Sequence, residues 1–173
     1  MRRIYHADFQ LVKVRGIMYL AMAVGLGALW AAYHIYTTFG LNPADGYGGE
    51  LAPMAHRAPF AGFVALFGLT FWGGMFMYGR CYAAEISVSD DESEVKIRTL
   101  GFIVDRRMTR AASELVDSDF HEGRNKGFFA RYLSVNAPWV SVRIRGKRWP
   151  LIVDVQGDFL DEGTFDRLFV LKS

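Results

Sequence analysis

Two long apolar runs without a formal charge constrain this chain more than anything else in it. Ile17 to Phe39 reads IMYLAMAVGLGALWAAYHIYTTF, 23 residues, and Pro59 to Tyr78 reads PFAGFVALFGLTFWGGMFMY, 20 residues. An α-helix rises about 1.5 Å per residue and the hydrocarbon layer of a bilayer is about 30 Å thick, so about 20 such residues suffice to cross. Inside lipid the backbone must satisfy its own hydrogen bonds, which makes helix the natural conformation for both runs. Tyr19, Trp30, Tyr33 and Tyr36 on the first run and Trp72 and Tyr78 on the second fit aromatics gathered toward interfaces, with Trp30 and Trp72 set deeper. A soluble domain of this length could not cover two helices that are apolar all round. A cleaved signal peptide is a poor reading too, because the first run is too long and a second follows it.

Charge is segregated accordingly. Residues 16–79 carry only Asp45, Glu50 and Arg57, whereas residues 80–173 hold 15 Lys/Arg and 15 Asp/Glu. This pattern excludes a uniformly soluble globule and a disordered tail, and the single Cys81 excludes a disulfide scaffold. A net charge of +2 gives no reason to expect nucleic acid as a partner. The organisation expected is a basic N-terminal segment (1–16), a transmembrane hairpin (17–78, with spans 17–39 and 59–78 and a loop 40–58), and an aqueous domain from 79 to 173.

The loop contains the turn-formers Asn42-Pro43, Gly46, Gly48-Gly49 and Pro53. Arg2, Arg3, Lys13 and Arg15 precede the first span and Arg80 follows the second, while the loop has only Arg57. That asymmetry puts both termini on the positive side, the cytoplasm or a mitochondrial matrix. Ala21/Gly25 and Gly27/Ala31 set small residues four apart, a spacing that permits close helix approach, so Gly25 and Gly27 are candidate partner contacts.

Beyond Gly79 the pattern changes to alternation. Ile86 and Val88, the polar turn 89–93, then Val95 and Ile97 with Lys96 and Arg98 between them read as a hairpin with one buried face. Gly101 to Val104 reads as a further short apolar strand. Residues 105–136 are hard to read, except that HEGRNKG (121–127) has the look of a loop. Val140, Val142 and Ile144 alternate with polar residues, Gly146-Lys147 fits a two-residue turn with Gly first, and Trp149, Leu151 and Val153 resume the buried face. Phe165, Leu168 and Phe169 mark a C-terminal helix from about Asp161 to Leu171. The fold class expected is an α+β membrane protein: a two-helix hairpin, then a small antiparallel sheet of about five strands and a short helix.

No specific catalytic signature is present. Gly25-Leu26-Gly27 and Gly73-Gly74 lie inside the spans and cannot cradle phosphate. His34 and His56 fall near one membrane surface, a place for a haem or metal held between them, but no second pair of ligands is visible. Arg143, Arg145, Lys147 and Arg148 form a basic ribbon at the second hairpin, suited either to anionic headgroups or an acidic partner surface, or to simple solvation. Trp139 and Trp149 fall on the apolar side of the alternation, which argues against base stacking.

VRIRGKRWPLIVDVQGDFLDEGTFDRLF, from Val142 to Phe169, resembles the end of the mitochondrial transmembrane protein 223 / 70 / 186 group. The matching residues are Arg145, Gly146, Lys147, Arg148, Trp149, Asp154, Gln156, Gly157 and Phe165, and the entry into the sheet, Tyr78 to Asp90, agrees as well. The resemblance implies an inner-membrane protein with both termini in the matrix. It also implies a non-enzymatic role in assembling respiratory complexes or the ATP synthase. A long Arg- and Ser-rich presequence is missing, so import would use an internal signal near Arg2, Arg3, Lys13 and Arg15, or the chain is bacterial.

The leading expectation is therefore a non-catalytic subunit or assembly factor of a respiratory complex, cytochrome c oxidase first and the ATP synthase next. Its partners would be larger integral membrane subunits and membrane lipids, and no cofactor is called for. The rivals are a bacterial two-span protein with a pleckstrin-homology-like binding domain, and an enzyme or electron carrier built on His34 and His56.

Overall fold

The computed structural model describes residues 1–122 and 138–170. The chain divides into two compact units, Gly16–Met77 and a second made of Met1–Arg15 together with the chain from Tyr78 onward.

The first unit is helical. Helix α1 spans Asp8–Thr38 and helix α2 spans Met54–Cys81, so both outrun the uncharged runs that define them. Of their most apolar stretches only 22% (α1) and 11% (α2) is buried, the opposite of core helices in a soluble protein. Small residues make the seam between them. Ala21, Gly25 and Ala32 are buried on α1, as are Ala61 and Gly68 on α2. A Cβ on Gly25 would stand 3.0 Å from Trp72 Cβ, and one on Gly68 would collide with Ala28 Cβ. The connection is ordered: Asn42 Oδ1 accepts from Ala44 N–H at 3.1 Å to cap a 3₁₀ turn at Pro43–Asp45, and Gly46 closes it at φ 83°. Arg57, in the first turn of α2, donates to the Tyr36 carbonyl at 3.0 Å, occupying one of the acceptors left open at the end of α1.

The second unit is built from eight strands among the described residues. One sheet has the order β4-β3-β2-β1-β8, with β1 at Arg2–His6, β2 at Ala83–Val88, β3 at Glu94–Thr99, β4 at Arg106–Ala111 and β8 at Asp158–Phe159. The other has the order β5-β6-β7, from Leu115–His121, Trp139–Ile144 and Leu151–Asp154. All ladders are antiparallel, and a parallel bridge joins Tyr82 to Ile152. The β2–β3 hairpin is the one its alternation predicts: Ile86, Val88, Val95 and Ile97 are fully buried, with Glu85, Ser87, Lys96 and Arg98 on the other face. Helix α3 (Glu162–Phe165) continues as a π-helical turn through Asp166–Val170, and Phe165, Leu168 and Phe169 are buried as their spacing requires. Asp161 caps it, accepting from Thr164 N–H at 3.0 Å.

Several expectations need correction. The sheet has grown to two, because residues 105–121 contain β4 and β5, and because the basic N-terminal segment contributes β1 to the larger sheet, between β2 and the edge strand β8. Residues 101–104 are a bend and not a strand: Leu100 is buried, but Ile103 and Val104 face outward. Gly146, at φ 78°, is the third residue of the turn Ile144–Lys147, closed by Lys147 N–H to Ile144 O at 3.0 Å, and not the first of a two-residue loop. Six residues therefore separate β6 from β7, and Trp149 lies out in that connection, 54% exposed. Of the loop expected at 121–127, His121 ends β5 and residues from 123 on lie outside the described ones, as does Leu171.

Candidate interaction surface

The residues carrying the C-terminal resemblance do structural work. Asp154 ends β7 and gathers three segments: its backbone carbonyl accepts from Tyr5 Oη at 3.1 Å, its Oδ2 from Tyr82 Oη at 3.2 Å, and its Oδ1 from Gln156 N–H at 2.9 Å. Burial and the nearby Asp154 carboxylate push both phenols well above their ordinary range, so they stay neutral donors. Gly157 lies against Tyr5 so closely that a Cβ there would stand 2.6 Å from the ring, and Phe165 packs its ring on Phe159 at 4.8 Å. The Asp-x-Gln-Gly stretch is the joint at which the second sheet meets the N-terminal strand and the residue following α2.

Two ion-pair chains hold the N-terminus in place. In the first, Arg3 Nε meets Glu85 Oε1 at 3.1 Å, and Glu85 Oε2 meets Arg98 at 3.2 Å. Arg98 reaches Asp105 Oδ2 at 3.8 Å, and Asp105 Oδ1 meets Arg15 at 2.7 Å. In the second, Glu92 is shared by Arg2 (3.1 Å) and Arg167 (2.7 Å), and Arg2 also meets Asp161 at 3.0 Å. Isolated exposed pairs contribute roughly 0–1 kcal/mol, and networks of this kind more. Arg2, Arg3 and Arg15 are thus engaged inside the fold, beyond any part they play in orientation.

The first chain runs over the solvent face of the large sheet and walls an open concavity of about 430 Å³, lined by Arg3, Glu85, Ser87, Lys96, Arg98 and Arg107. The lining holds four cationic side chains and one carboxylate, Glu85, which pairs with two of them, Arg3 and Arg98. Alternation placed Lys96 and Arg98 there in advance. Arg3 and Arg107 joined them only through strand register, Arg107 standing opposite Arg98.

The sequence-derived candidates are distributed differently. Arg143, Arg145, Lys147 and Arg148 are all exposed. Arg143 stands opposite Asp117 of β5, Arg145 N–H donates to Glu114 O at 2.8 Å, and the Arg148 guanidinium lies over the Trp149 ring at 5.6 Å. Lys147 is held below its usual pKa by partial desolvation and by Arg110, Arg106 and Arg80 around it. Gly25 meets Trp72 of its own hairpin, whereas Gly27 has nothing within 4 Å of where a Cβ would be. His34 Nδ1 pairs with Thr38 Oγ1 at 3.1 Å and His56 Nδ1 with Tyr47 Oη at 2.8 Å, so each ring has its own local partner. Trp139 stacks on His121 with ring centroids 5.0 Å apart. Among the described residues no group of three or more His, Cys, Asp or Glu is placed to hold a metal.

Two long apolar helices, a candidate membrane hairpin, joined to antiparallel β sheets and a short C-terminal helix define an α+β fold. The sequence model of the TMEM70/TMEM186/TMEM223 protein family matches residues 3–171, nearly the whole chain, and the chain belongs to that family. No curated protein matches it. Family membership and the two apolar helices are consistent with membrane localisation and with a role in mitochondrial respiratory complexes, as an assembly factor or a subunit.

Proposed function

We propose that this protein is a non-catalytic assembly factor or supernumerary subunit of a respiratory-chain complex in the mitochondrial inner membrane. Cytochrome c oxidase is the first candidate and the ATP synthase the second, and both termini face the matrix. The observation that carries the reading is the extent of the family match: residues 3–171 include β1, both apolar helices and both sheets, so the whole architecture is the family's. Basic residues support the orientation, with Arg2, Arg3, Lys13, Arg15 and Arg80 flanking the helices on one side against Arg57 on the other. In mechanism, the hairpin packs against a larger membrane subunit through lipid-facing side chains such as Trp30, Phe63 and Phe67, all exposed. The β domain offers its basic faces to acidic surfaces of that subunit or of its other partners.

Disruption of the gene in its native host, followed by native electrophoresis, tests the reading. Loss of assembled cytochrome c oxidase is expected. Loss confined to the ATP synthase moves the assignment to the second candidate, and unchanged levels of every respiratory complex overturn it. Protease protection in mitoplasts tests the orientation: tags at both ends are expected to resist digestion until the inner membrane is opened.

A further inference from the structure

Ile103 and Val104 are 86% and 76% exposed, more than any large apolar side chain of the candidate spans, yet they belong to the β domain. Their loop is a built one. A Cβ on Gly101 would collide with the Val104 carbonyl, so only glycine permits the bend. Asp105 Oδ1 accepts from Gly101 N–H at 3.2 Å and from Arg15 at 2.7 Å, closing the loop and tying it to α1. Leu100, fully buried, roots the other end. Arg15 lies two residues before Ile17, where the uncharged run begins, and the exposed Arg106 and Arg107 follow the loop directly. An apolar tip flanked by guanidinium groups, tethered where a helix enters its apolar stretch, has the composition of an interfacial membrane anchor. Asp105 adds no free negative charge to repel anionic headgroups, since Arg15 and Arg98 engage it.

We propose that the β3–β4 loop is a third membrane contact, with Ile103 and Val104 seated in the headgroup–acyl boundary of the leaflet from which α1 enters and Arg107 on the phosphates. This rests on the reading of α1 and α2 as a bilayer hairpin, and the test separates the two. The full chain carrying Cys81→Ser is given one new cysteine at a time, Ile103→Cys, Asp90→Cys or Phe63→Cys. Each is labelled with nitrobenzoxadiazole and reconstituted into phosphatidylcholine–cardiolipin vesicles. The label at 103 is expected to emit blue-shifted light and to be quenched several-fold more by shallow spin-labelled lipid than the label at 90, which aqueous iodide quenches instead. If the label at 63 is quenched by deep spin-labelled lipid while that at 103 behaves like 90, the loop proposal fails and the hairpin stands. If 63 is not quenched by lipid, the hairpin reading fails and takes the loop proposal with it. A blue shift at 103 that needs native membrane protein and is missing from pure lipid assigns the tip to a protein partner and overturns the proposal.

Discussion

The helical hairpin and the β domain solve the problem of apolar surface in opposite ways. In the β domain large side chains turn inward: Tyr5, Tyr82, Ile86, Ile97, Val153 and Phe169 are at most 1% exposed. In the hairpin the large side chains turn outward, with Trp30, Tyr33, Phe63 and Leu66 each at least 65% exposed, while alanine and glycine occupy the seam. Water drives the first arrangement, since burial of apolar area is favourable there. The second is what a lipid surround calls for, because hydrocarbon gives no reason to hide a leucine, and close backbone approach becomes the main source of helix–helix attraction. The same residue type is thus core in one unit and surface in the other.

Truncating a large apolar side chain should break this comparison most visibly. Ile86→Ala is expected to destabilise the β domain by about 2–5 kcal/mol, while Phe63→Ala leaves it unchanged. Chemical denaturation of the full chain in mild detergent, followed by far-ultraviolet circular dichroism, reads both; equal effects would erase the distinction. Next in size, Gly157→Ala drives a methyl into the Tyr5 ring and should cost about 1–3 kcal/mol in the same assay. Combining it with Tyr5→Leu should recover part of that loss, because the two sites touch.

The hairpin seam gives a smaller effect of the same kind. Gly25→Leu meets Trp72 and should weaken the helix pair by about 1–2 kcal/mol, whereas Gly27→Leu, with open space before it, should not. Cysteine cross-linking across the seam in detergent distinguishes them. The smallest effect is electrostatic. The Ser89 and Ser93 hydroxyls hold the Asp91 carboxyl at about 2, and the Thr164 N–H and hydroxyl lower that of Asp161. Carboxyls depressed in the folded state stabilise it above their unfolded pKa and lose that contribution as pH falls toward the folded value. The β domain should therefore lose stability from about pH 4 down to about pH 2, and Ser93→Ala should flatten that slope. Asp91 is exposed and Asp161 partly so, and the change should be slight.

How much could be read in advance depended on how local the cause was. The apolar helices were legible because a bilayer imposes its demand on one continuous stretch. The β2–β3 hairpin was legible because alternation and turn lie side by side. Strand β1 was not, since Arg2–His6 buries only Ile4 and Tyr5 fully and pairs with partners from Glu85 to Val88 and at Asp158–Phe159. Strand β4, RRMTRA, is hard to read because its inward row is Arg106, Met108 and Arg110, opposite Thr99, Ile97 and Val95. Residues 101–104 misled because apolarity usually means burial, and here it does not. Of the candidate surface, the exposure of Arg143 and Arg145 followed from their alternation and that of Lys147 and Arg148 from their place in the connection, but the chain from Arg3 to Arg15 did not.

What the amino-acid order determined alone is the separation into a helical apolar pair and a charged β region, together with the hairpins, because those follow from periodicity within a dozen residues. Only the tertiary structure decided that the N-terminus is a strand paired on both sides, that Asp154 and Gly157 form the joint between sheets, and that the exposed Ile103 and Val104 sit in a loop tied to Arg15. Each of these depends on groups brought together from about 80 to 150 residues apart, where pairing energy is set by register and close packing that no local pattern encodes.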